Sequence, residues 1–376
     1  MRTANGHPHK LKGSILGRIT KSKKPLLGRS NLILISEKSS KSNIGYAATL
    51  SGAPPNQIFS SPGVYSIALD DMSLFHDGDI VLIHPDGRIN FLWESQQSNN
   101  AFFLTGACNC DCLMCPQPPQ PHSPEHLATS QAVLGMVDSG YSCEVCITGG
   151  EPTLLGDKFI SFVGQCAQAL PGASIVVLTN GKRFADYGFS SQMASLGLRQ
   201  LMLCVSLHAD VDELHDRIAG SKGSFVLTQR GLHNLAKLRQ LIEIRCVVNR
   251  LNAYRLPEIA WHMYRNYPFA DHVTFMALEM IGHAADNRDG VWVDPADYMD
   301  GLEEAVRCLH RVGLYVSVYN HPLCLVTPWT RSFARQSISA WKNSYLPCCD
   351  GCSVISSCCG VFTTSGDQLS PSIRPI

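Results

Sequence analysis

The sequence predicts an α/β fold: a partial (β/α)6 barrel of the TIM type, preceded by a small β domain and followed by a cysteine-rich region. Between residues 101 and 310, short apolar runs rich in β-branched and aromatic residues alternate with segments of helical periodicity. This alternation produces a parallel sheet with right-handed crossovers, and near-continuous apolar strands need cover on both faces or closure into a barrel. Six such units are fewer than the eight of a full barrel, so we expect a partial one, with a doubly wound sheet as the alternative.

The composition is typical of a protein with a packed core. Of the 376 residues, 45% are hydrophobic and 16% are charged, and the formal net charge is zero. No overall field therefore favours nucleic acid or an anionic membrane. The sequence has no apolar run of about 18 residues, as a membrane span requires, and no apolar segment typical of a secretory signal. We therefore expect a cytoplasmic protein that binds neither nucleic acid nor membrane.

The first 95 residues divide into two parts. Residues 1–30 carry eight Lys and Arg side chains and no acidic one, which predicts a basic N-terminal arm. A solvated tail is the expected state of such an arm, and contact with an acidic partner is the alternative. Residues 31–95 have the pattern of short strands and form the predicted small β domain. Within it, Pro-Asp-Gly at 85–87 lies between two apolar runs and predicts a hairpin, because glycine supplies a positive φ.

The strands of the barrel domain, residues 101–310, are expected at six apolar runs that end in Gly, Asn, His or Glu. They are residues 101–106, 143–150, 174–181, 201–209, 242–249 and 272–279. A further helix at 295–313 and a strand at 314–320 lead into the cysteine-rich region, residues 311–376.

Sixteen cysteines are present, and many of them fall in two clusters. In a chain without a secretory signal, cysteine clusters indicate metal or redox sites rather than disulfides. The first cluster, Cys108, Cys110, Cys112 and Cys115, follows the first barrel strand, at the end where barrel enzymes place their chemistry. It offers two triples, which share Cys112 and Cys115 and begin at Cys108 or Cys110. Structural zinc normally takes four ligands, whereas three thiolates leave one iron of a four-iron cluster open.

The CxxxCxxC spacing of Cys108, Cys112 and Cys115 resembles the signature of the radical S-adenosylmethionine (radical SAM) enzymes. GGEP at 149–152 ends the next predicted strand, where that superfamily has the same motif. The resemblance implies that the three cysteines hold a [4Fe-4S] cluster whose open iron binds S-adenosylmethionine. It also implies cofactor contacts at Met114, Gly149, Gly150, Glu151, Pro152, Asn180, Ser206 and Arg217.

The resemblance gives each of these positions a role. The glycines would let backbone carbonyls approach the cofactor's ammonium group, while Glu151 helps to fix the turn. Arg217 would read a carboxylate with its planar fork, and a surface arginine is the alternative. Asn249 and Leu278 are weaker candidates, for which a turn residue and a core residue are the alternatives.

The remaining cysteines near the first cluster are expected to play no part in metal binding. Cys110 is interpreted as a non-ligating thiol, with exchange for Cys108 as the alternative. Cys143 and Cys146 form a CxxC on a strand, where positions i and i+3 point to opposite faces. We expect them to be core residues, like the isolated cysteines Cys166, Cys204, Cys246 and Cys308.

The second cluster has the spacing Cx2Cx5C at Cys349, Cys352 and Cys358, which resembles the auxiliary-cluster regions (SPASM or twitch) of radical SAM enzymes. The resemblance implies one auxiliary [4Fe-4S] cluster with Cys324 as the fourth ligand. Structural zinc in the same four residues is the alternative, since CxxC pairs suit zinc equally well. Cys348 and Cys359 lie beside two of these positions, so the exact ligand set stays open.

Longer phrases resemble the HxsC-type radical SAM maturases of the His-Xaa-Ser system. They are CLMCPQPP at 112–119, GDIVLIHPDGRINFLW at 78–93, YNHPLC at 319–324 and SISAWKNSYLPCCDGC at 337–352. The resemblance implies an enzyme that reductively cleaves S-adenosylmethionine to a 5′-deoxyadenosyl radical and modifies a ribosomally made peptide with His-Xaa-Ser repeats. It also implies a partner radical SAM maturase and an electron donor such as flavodoxin or ferredoxin.

Two other classes of function stay open. One is a radical SAM enzyme for a small molecule or RNA, and the other is a non-catalytic zinc or iron–sulfur protein. No acid or base stands out among the fourteen scattered histidines, so no catalytic residue is assigned.

Overall fold

A computed structural model describes residues 2–8, 11–25, 28–36, 43–52, 64–337 and 342–376. The chain forms two compact units. One comprises Met1–Phe102, Ala128–Val145 and Gln168–Ala173, and the other comprises Phe103–Leu127, Cys146–Ala167 and Ser174–Ile376. No helix in the described ranges is long and apolar enough to cross a membrane.

Seven strands of the first unit close into a small barrel in the order β1-β5-β4-β3-β2-β6-β7. They are β1 (Thr3–Pro8), β2 (Ile15–Thr20), β3 (Leu32–Ser36), β4 (Ala48–Ser51), β5 (Tyr65–Leu69), β6 (Ile80–Ile83) and β7 (Arg88–Trp93). Side chains such as Ile33, Leu50, Ile67 and Ile89 are fully buried in its core. Antiparallel pairing of β6 with β7, with Gly87 at φ 91°, confirms the predicted hairpin.

Two strands of this barrel lie in the segment that we expected to be a solvated basic arm. β1 pairs with β5 and β7, and β2 pairs with β3 and β6. The expectation of a solvated tail is wrong for these residues. In β1, exposed polar side chains (Thr3, Asn5 and His7) alternate with buried positions. Ala4 of β1 and Ile19 of β2 are buried in the barrel core. The β barrel therefore begins at Thr3 rather than at residue 31.

The other large sheet has eight strands, in the order β15-β14-β13-β12-β11-β10-β9-β8. Its strands are β8 (Asn99–Phe103), β9 (Glu144–Thr148), β10 (Ser174–Thr179), β11 (Leu201–Ser206), β12 (Leu241–Val247), β13 (His272–Met276), β14 (Val316–Tyr319) and β15 (Ala334–Arg335). Strands β10 to β15 pair in parallel. Each strand is added beside its predecessor without a reversal of order, which excludes the doubly wound alternative and confirms the predicted partial barrel.

Helices connect the strands of this sheet and contribute apolar stripes to its core. They are α1 (Pro124–Leu134), α2 (Asp157–Ala169), α3 (Tyr187–Ala194), α4 (Asp212–Ala219), α5 (Ser224–Lys237), α6 (Leu256–Asn266), α7 (His283–Asp286), α8 (Arg288–Val291) and α9 (Met299–Arg311). In α2, for example, Phe159, Phe162, Val163 and Cys166 are completely buried. These residues recur at helical spacing and form one face of the helix.

The C-terminal region contains little regular structure. Besides β14 and β15, it has a short antiparallel pair, β16 (Asn343–Ser344) and β17 (Val361–Phe362), and several single turns of 3-10 helix. Part of the phrase at 337–352 lies outside the described residues.

The cysteines outside the two clusters differ in how deeply they are buried. Cys166, Cys204 and Cys246 are buried as expected, whereas Cys308 is only half-buried. Cys146 is half-buried on β9, but Cys143 precedes that strand and is exposed. The expectation of a core position is therefore wrong for Cys143, because the strand begins one residue later.

Candidate functional site

The first cysteine cluster lies on the loop that follows β8. The Asp111 N–H donates to the Ala219 carbonyl at 3.0 Å, and the Leu113 N–H donates to the Ile218 carbonyl at 2.9 Å. These bonds hold the loop against the last turn of α4. The next residue, Gly220, has φ 59°, and a Cβ there would lie 2.1 Å from the Asp111 carbonyl oxygen. Only glycine fits at this approach.

The thiols of Cys108, Cys112 and Cys115 are neighbours in this loop. Burial, with the thiols of Cys115 and Cys108 adding to it, raises the pKa of Cys112 to about 12. Burial also raises the pKa of Cys115, and Cys108 adds to that rise. The Cys115 Sγ donates to the Gln117 carbonyl at 3.0 Å. In this geometry the three groups are thus neutral thiols, and a bound cation is what would favour their thiolate forms.

No group of three or more His, Cys, Asp or Glu side chains within the described ranges is gathered tightly enough to hold a metal ion as it stands. The donor set nevertheless fits an iron–sulfur cluster in its chemistry, because three cysteines lie within electrostatic reach of one another on one loop. Thiols without a bound cation have no attraction that would draw their sulfur atoms together.

Cys110 differs from the other three in its partners. It is 6% exposed, and its Sγ accepts from Asn180 Nδ2 at 3.5 Å and Lys182 Nζ at 3.7 Å. A hydrogen bond with Cys108 lowers the pKa of Cys110, and the nearby ammonium of Lys182 acts in the same direction. Lys182 Nζ also donates to the Asn109 carbonyl at 2.8 Å. Cys110 therefore contributes to the link between the loop and the end of β10, and its non-ligating role stays a prediction.

The two glycines of GGEP are required by the cysteine loop. A Cβ on Gly149 would lie 2.5 Å from the Thr105 carbonyl oxygen, and one on Gly150 would lie 2.4 Å from that of Ala107. The N–H groups of Gly150 and Glu151 donate to the same two carbonyls, at 2.7 and 2.8 Å. These contacts require glycine at both positions, independently of any access for a ligand. They let the end of β9 pack on the backbone immediately before Cys108.

Glu151 is 1% exposed and joins the ends of two strands. Its Oε1 accepts from the Thr153 N–H and hydroxyl and from Thr179 Oγ1, and its Oε2 accepts from the Asn180 N–H at 2.7 Å. Burial raises the pKa of the carboxyl, while these hydrogen bonds act in the opposite direction. Glu151 therefore fixes the turn, as expected, and also ties it to β10. Pro152, buried beside it, begins a 3-10 helix at Pro152–Leu155.

The other predicted cofactor contacts occupy different surroundings. Met114 is 5% exposed and packs with Ile218 and Met280, with Cys112 and Leu278 at the edge of the same cluster. Asn180 is bonded to the cysteine loop, where its Nδ2 donates to Asn109 Oδ1 at 2.7 Å.

Asn249 is completely buried, and its side chain bonds to nearby backbone, which agrees with the turn alternative. Arg217 lines a cavity of about 520 Å³, with Leu113, Leu251 and residues 285–291. This cavity brings Arg217 beside the cysteine loop, and its contact with a cofactor stays a prediction.

Sequence reasoning missed a group of polar side chains that lie together on one face of the sheet. The Glu243 carboxylate accepts from Arg245 Nε and pairs with His272 Nδ1 at 2.8 Å, and His272 Nε2 lies 3.0 Å from Ser317 Oγ. Burial by itself raises the pKa of Glu243, but His272 and Arg245 lower it overall. The sequence signal for this group was the pair Glu243 and Arg245, two charged residues inside an otherwise apolar strand.

The C-terminal cysteines also form a neighbouring set. Burial raises the pKa of Cys324, with Cys358 and Cys352 adding to it, and raises that of Cys349, with Cys324 contributing. Cys358 is distinct, because its Sγ accepts from the N–H groups of Leu323 and Gly360, both at 3.3 Å.

A hydrogen bond from Cys359, with those two backbone donors, lowers the pKa of Cys358 to about 6. The Cys359 Sγ also contacts the Gly360 carbonyl, at 3.2 Å. Within this adjacent pair, Cys359 is therefore the hydrogen-bond donor and Cys358 has the greater thiolate character.

Two curated proteins resemble the chain. Fe-coproporphyrin III synthase of Methanosarcina barkeri (strain Fusaro / DSM 804) is 28% identical over 228 residues, which is 58% of this chain and 54% of that protein. Sporulation killing factor maturation protein SkfB of Bacillus subtilis (strain 168) is 24% identical over 159 residues, 42% of this chain and 37% of that protein. The matched part spans about half of the first relative and less of the second.

The motifs and these relatives together support the radical SAM superfamily for this chain. No family model matches the chain. Among solved structures, SuiB of Streptococcus suis bound to S-adenosylmethionine gives a TM-score of 0.47 at 13% identity and covers 59% of this chain and 50% of its own. A radical SAM methyltransferase from Sphaerobacter thermophilus gives 0.44 at 14% identity and covers 65% and 74%. Likeness at this level adds no weight to the argument.

Proposed function

We propose that the protein is a radical SAM enzyme in which Cys108, Cys112 and Cys115 hold a [4Fe-4S] cluster that binds S-adenosylmethionine. The observation that carries the proposal is the packing of GGEP on the backbone immediately before Cys108, at the end of adjacent strands. When bound, the cluster and S-adenosylmethionine supply a 5′-deoxyadenosyl radical, formed by reductive cleavage of the latter.

The chain's own residues would bind and orient the cofactor. The Glu151 carboxylate would hold the turn that follows Gly149 and Gly150 against the end of β10, because it accepts from the N–H groups of Thr153 and Asn180. Free carbonyl and amide groups of this turn would contact the cofactor, with Asn180, Ser206 and Arg217 as side-chain contacts. Met114 would exclude water beside the cluster, since it is buried among apolar side chains.

We also propose one auxiliary [4Fe-4S] cluster at Cys324, Cys349, Cys352 and Cys358. These thiols are close enough to affect one another's pKa. Cys358 and Cys352 raise the pKa of Cys324, and Cys324 raises that of Cys349. The backbone N–H donors at Cys358 favour its thiolate, which supports Cys358 over Cys359 as the fourth ligand.

The proposed substrate is a ribosomally made peptide with His-Xaa-Ser repeats. A partner maturase would act in the same system, and a flavodoxin or ferredoxin would supply the electron to the cluster. The longer sequence phrases favour this class, and SkfB, a named maturation protein, supports peptide modification. A small-molecule substrate is the second candidate, favoured by the resemblance to Fe-coproporphyrin III synthase.

The deciding experiment is anaerobic reconstitution with iron and sulfide, followed by dithionite and S-adenosylmethionine. We expect 5′-deoxyadenosine from the wild type and from Cys110→Ala, and none from Cys112→Ala. Full 5′-deoxyadenosine production by Cys112→Ala, or none by the reconstituted wild type, would refute the enzyme proposal.

Metal analysis tests the auxiliary cluster against structural zinc, and substrate assays test the peptide against a small molecule. The wild type should contain about eight iron atoms and Cys352→Ala about four, whereas zinc in the wild type would favour the structural alternative. A mass change in a His-Xaa-Ser peptide would support the peptide substrate, and turnover of a porphyrin instead would support the second candidate.

A further inference from the structure

Lys182 lies where three segments of the chain meet beside the cysteine loop. Its Nζ donates to the Asn109 carbonyl and to Ser221 Oγ, both at 2.8 Å, and contacts Cys110 Sγ at 3.7 Å. Ser221 Oγ donates in turn to the same Asn109 carbonyl, at 3.3 Å. Because Asn109 directly follows Cys108, the ammonium group of Lys182 is bonded to the backbone next to a proposed cluster ligand.

The backbone at Lys182 is fixed by its packing against α5. Lys182 is the first residue of the 3-10 helix that follows β10. A Cβ on Gly231 of α5 would lie 2.3 Å from the Gly181 carbonyl oxygen, and Thr228 Oγ1 donates to the Asn180 carbonyl at 2.8 Å. The turn that carries Lys182 is therefore held by α5, independently of the cysteine loop.

Ser221, the second donor to the Asn109 carbonyl, is fixed by the end of α4 and the start of α5. The Ser221 N–H donates to the Asp216 carbonyl at 3.0 Å. The Asp216 carboxylate in turn accepts from Ser224 Oγ, also at 3.0 Å, at the first residue of α5. Lys182 and Ser221 therefore form a fixed pair of donors, to which the cysteine loop is bonded through one carbonyl.

The positive charge of Lys182 has no carboxylate as a counter-ion in the described part of the chain. The side chain is half-buried, and its three partners are a carbonyl oxygen, a hydroxyl and a sulfur atom. Two carboxylates belong to the segments that pack here, but both bond to other donors. Asp216 bonds to the start of α5, and Glu151 bonds to Thr153 and to the end of β10.

A cluster on the cysteine loop would supply the missing negative charge. Iron binding converts thiols to thiolates, so Cys108, Cys112 and Cys115 would each bring a negative charge to the loop. These thiolates outnumber the positive charges of an oxidised [4Fe-4S] core, which makes the cluster with its ligands anionic. A partly buried charge is costly unless an opposite charge offsets it. The surroundings of Lys182 thus fit a lysine whose counter-ion is the bound cluster.

We propose that Lys182 is a positioning residue for the iron–sulfur cluster, which fixes the loop through the Asn109 carbonyl and raises the reduction potential of the cluster by its charge. The inference rests on the proposed function for the presence of the cluster. Reduction transfers one electron to the cluster, from a flavodoxin or ferredoxin in the cell or from dithionite in the assay, and it neither forms nor breaks a bond to the protein. Because the reduced cluster carries one more negative charge, a nearby ammonium group stabilises it more than the oxidised cluster. Lys182 therefore favours the electron transfer that precedes cleavage of S-adenosylmethionine.

A potentiometric titration of the reconstituted protein with dithionite tests the effect of the charge without turnover. The electron paramagnetic resonance signal of the reduced cluster is followed, and the signal that changes on later addition of S-adenosylmethionine identifies the cluster of the first loop. Lys182→Met and Lys182→Gln remove the charge, Lys182→Arg keeps it, and Lys237→Met, at the exposed end of α5, is the matched control. We expect both neutral variants to weaken reduction about tenfold, which is a potential lower by about 59 mV for a one-electron couple. Lys182→Arg and Lys237→Met should keep the potential of the wild type.

Iron content and melting of the metal-free protein separate the charge from the geometry. If the neutral variants bind no iron, melt like the wild type without metal, and Lys182→Arg binds iron normally, the charge is required and the proposal is supported. Loss of iron from Lys182→Arg as well, or a lower melting temperature of the metal-free neutral variants with loss of iron, shows a structural role and overturns the proposal.

The potentials decide where all variants bind iron. Neutral variants with the potential of the wild type overturn the role of Lys182 and leave the enzyme proposal intact. A fall of equal size in Lys182→Arg or Lys237→Met likewise overturns it, because the charge at this position is then not the cause. A reconstituted wild type without a reducible cluster overturns both this inference and the proposed function.

Discussion

Replacing Glu151 with Gln should destabilise the protein strongly, because every partner of this buried carboxylate is a donor. Four hydrogen bonds reach it: two from Thr153, one from Thr179 and one from the Asn180 N–H. A glutamine oxygen at the Oε1 position can accept three of them, but its amide nitrogen then faces the Asn180 N–H at 2.7 Å. One charge-assisted bond is lost and two buried donors oppose each other.

The magnitude follows from that loss. A hydrogen bond to a charged group contributes about 1.5–3 kcal/mol, and an unsatisfied buried donor costs about as much again. We therefore expect Glu151→Gln to reduce the free energy of unfolding by about 3 kcal/mol. For a unit of this size, that is a fall of about 6–12 °C in melting temperature.

Two measurements check this expectation. Melting of the metal-free protein gives the shift, and hydrogen exchange should show faster exchange of the Asn180 amide. Glu304→Gln, at an exposed position of α9, is the matched control and should change stability by less than about 0.5 kcal/mol. If Glu151→Gln melts like the wild type, the carboxyl is protonated in the folded protein and the reasoning is refuted.

Two further predictions concern a glycine and three buried histidines. Gly150→Ala should lower the iron bound after reconstitution, because a Cβ 2.4 Å from the Ala107 carbonyl oxygen displaces the cysteine loop; iron content equal to the wild type would contradict this. Burial lowers the pKa of His208 to about 3 and that of His215 and His321 to about 4, so all three are neutral when folded and gain a proton on unfolding below about pH 6.5. A change from pH 7 to pH 5 should therefore cost about 2 kcal/mol per histidine, and an unchanged urea midpoint would exclude it.

The barrel strands were predictable because each carries its signal locally. Runs such as SIVVLT and LMLCVS, bounded by Gly, Asn or His, specify strand and turn without reference to distant residues. The N-terminal strands were missed for the opposite reason. In β2, Ile15 and Ile19 share one face with Gly17, and the other face carries the charged Arg18. The glycine and the basic charge of the segment hid the strand, which is completed only when β3 and β6 pair with it.

In the candidate site, too, some features were predictable from local sequence and others depend on distant residues. Cysteine spacing is a local property of the chain, and it predicts Cys108, Cys112 and Cys115 as the cluster ligands. The role of Glu151 as a link to β10 depends on partners 28 and 29 residues away. The placement of Arg245 beside Thr274 depends on register between strands, which no single segment contains.

By itself, the sequence determined the alternation of strands and helices, the positions of the two cysteine clusters and the order in which the motifs meet the strand ends. These follow from local propensity and from the fixed polarity of a parallel sheet. Tertiary structure alone decided that the basic N-terminal segment joins a closed barrel and that the GGEP glycines pack on the cysteine loop. It also decided that Arg245 and Thr274 lie side by side on adjacent strands. Such pairings depend on distances between residues far apart in the chain, and those distances exist only once the sheet has formed.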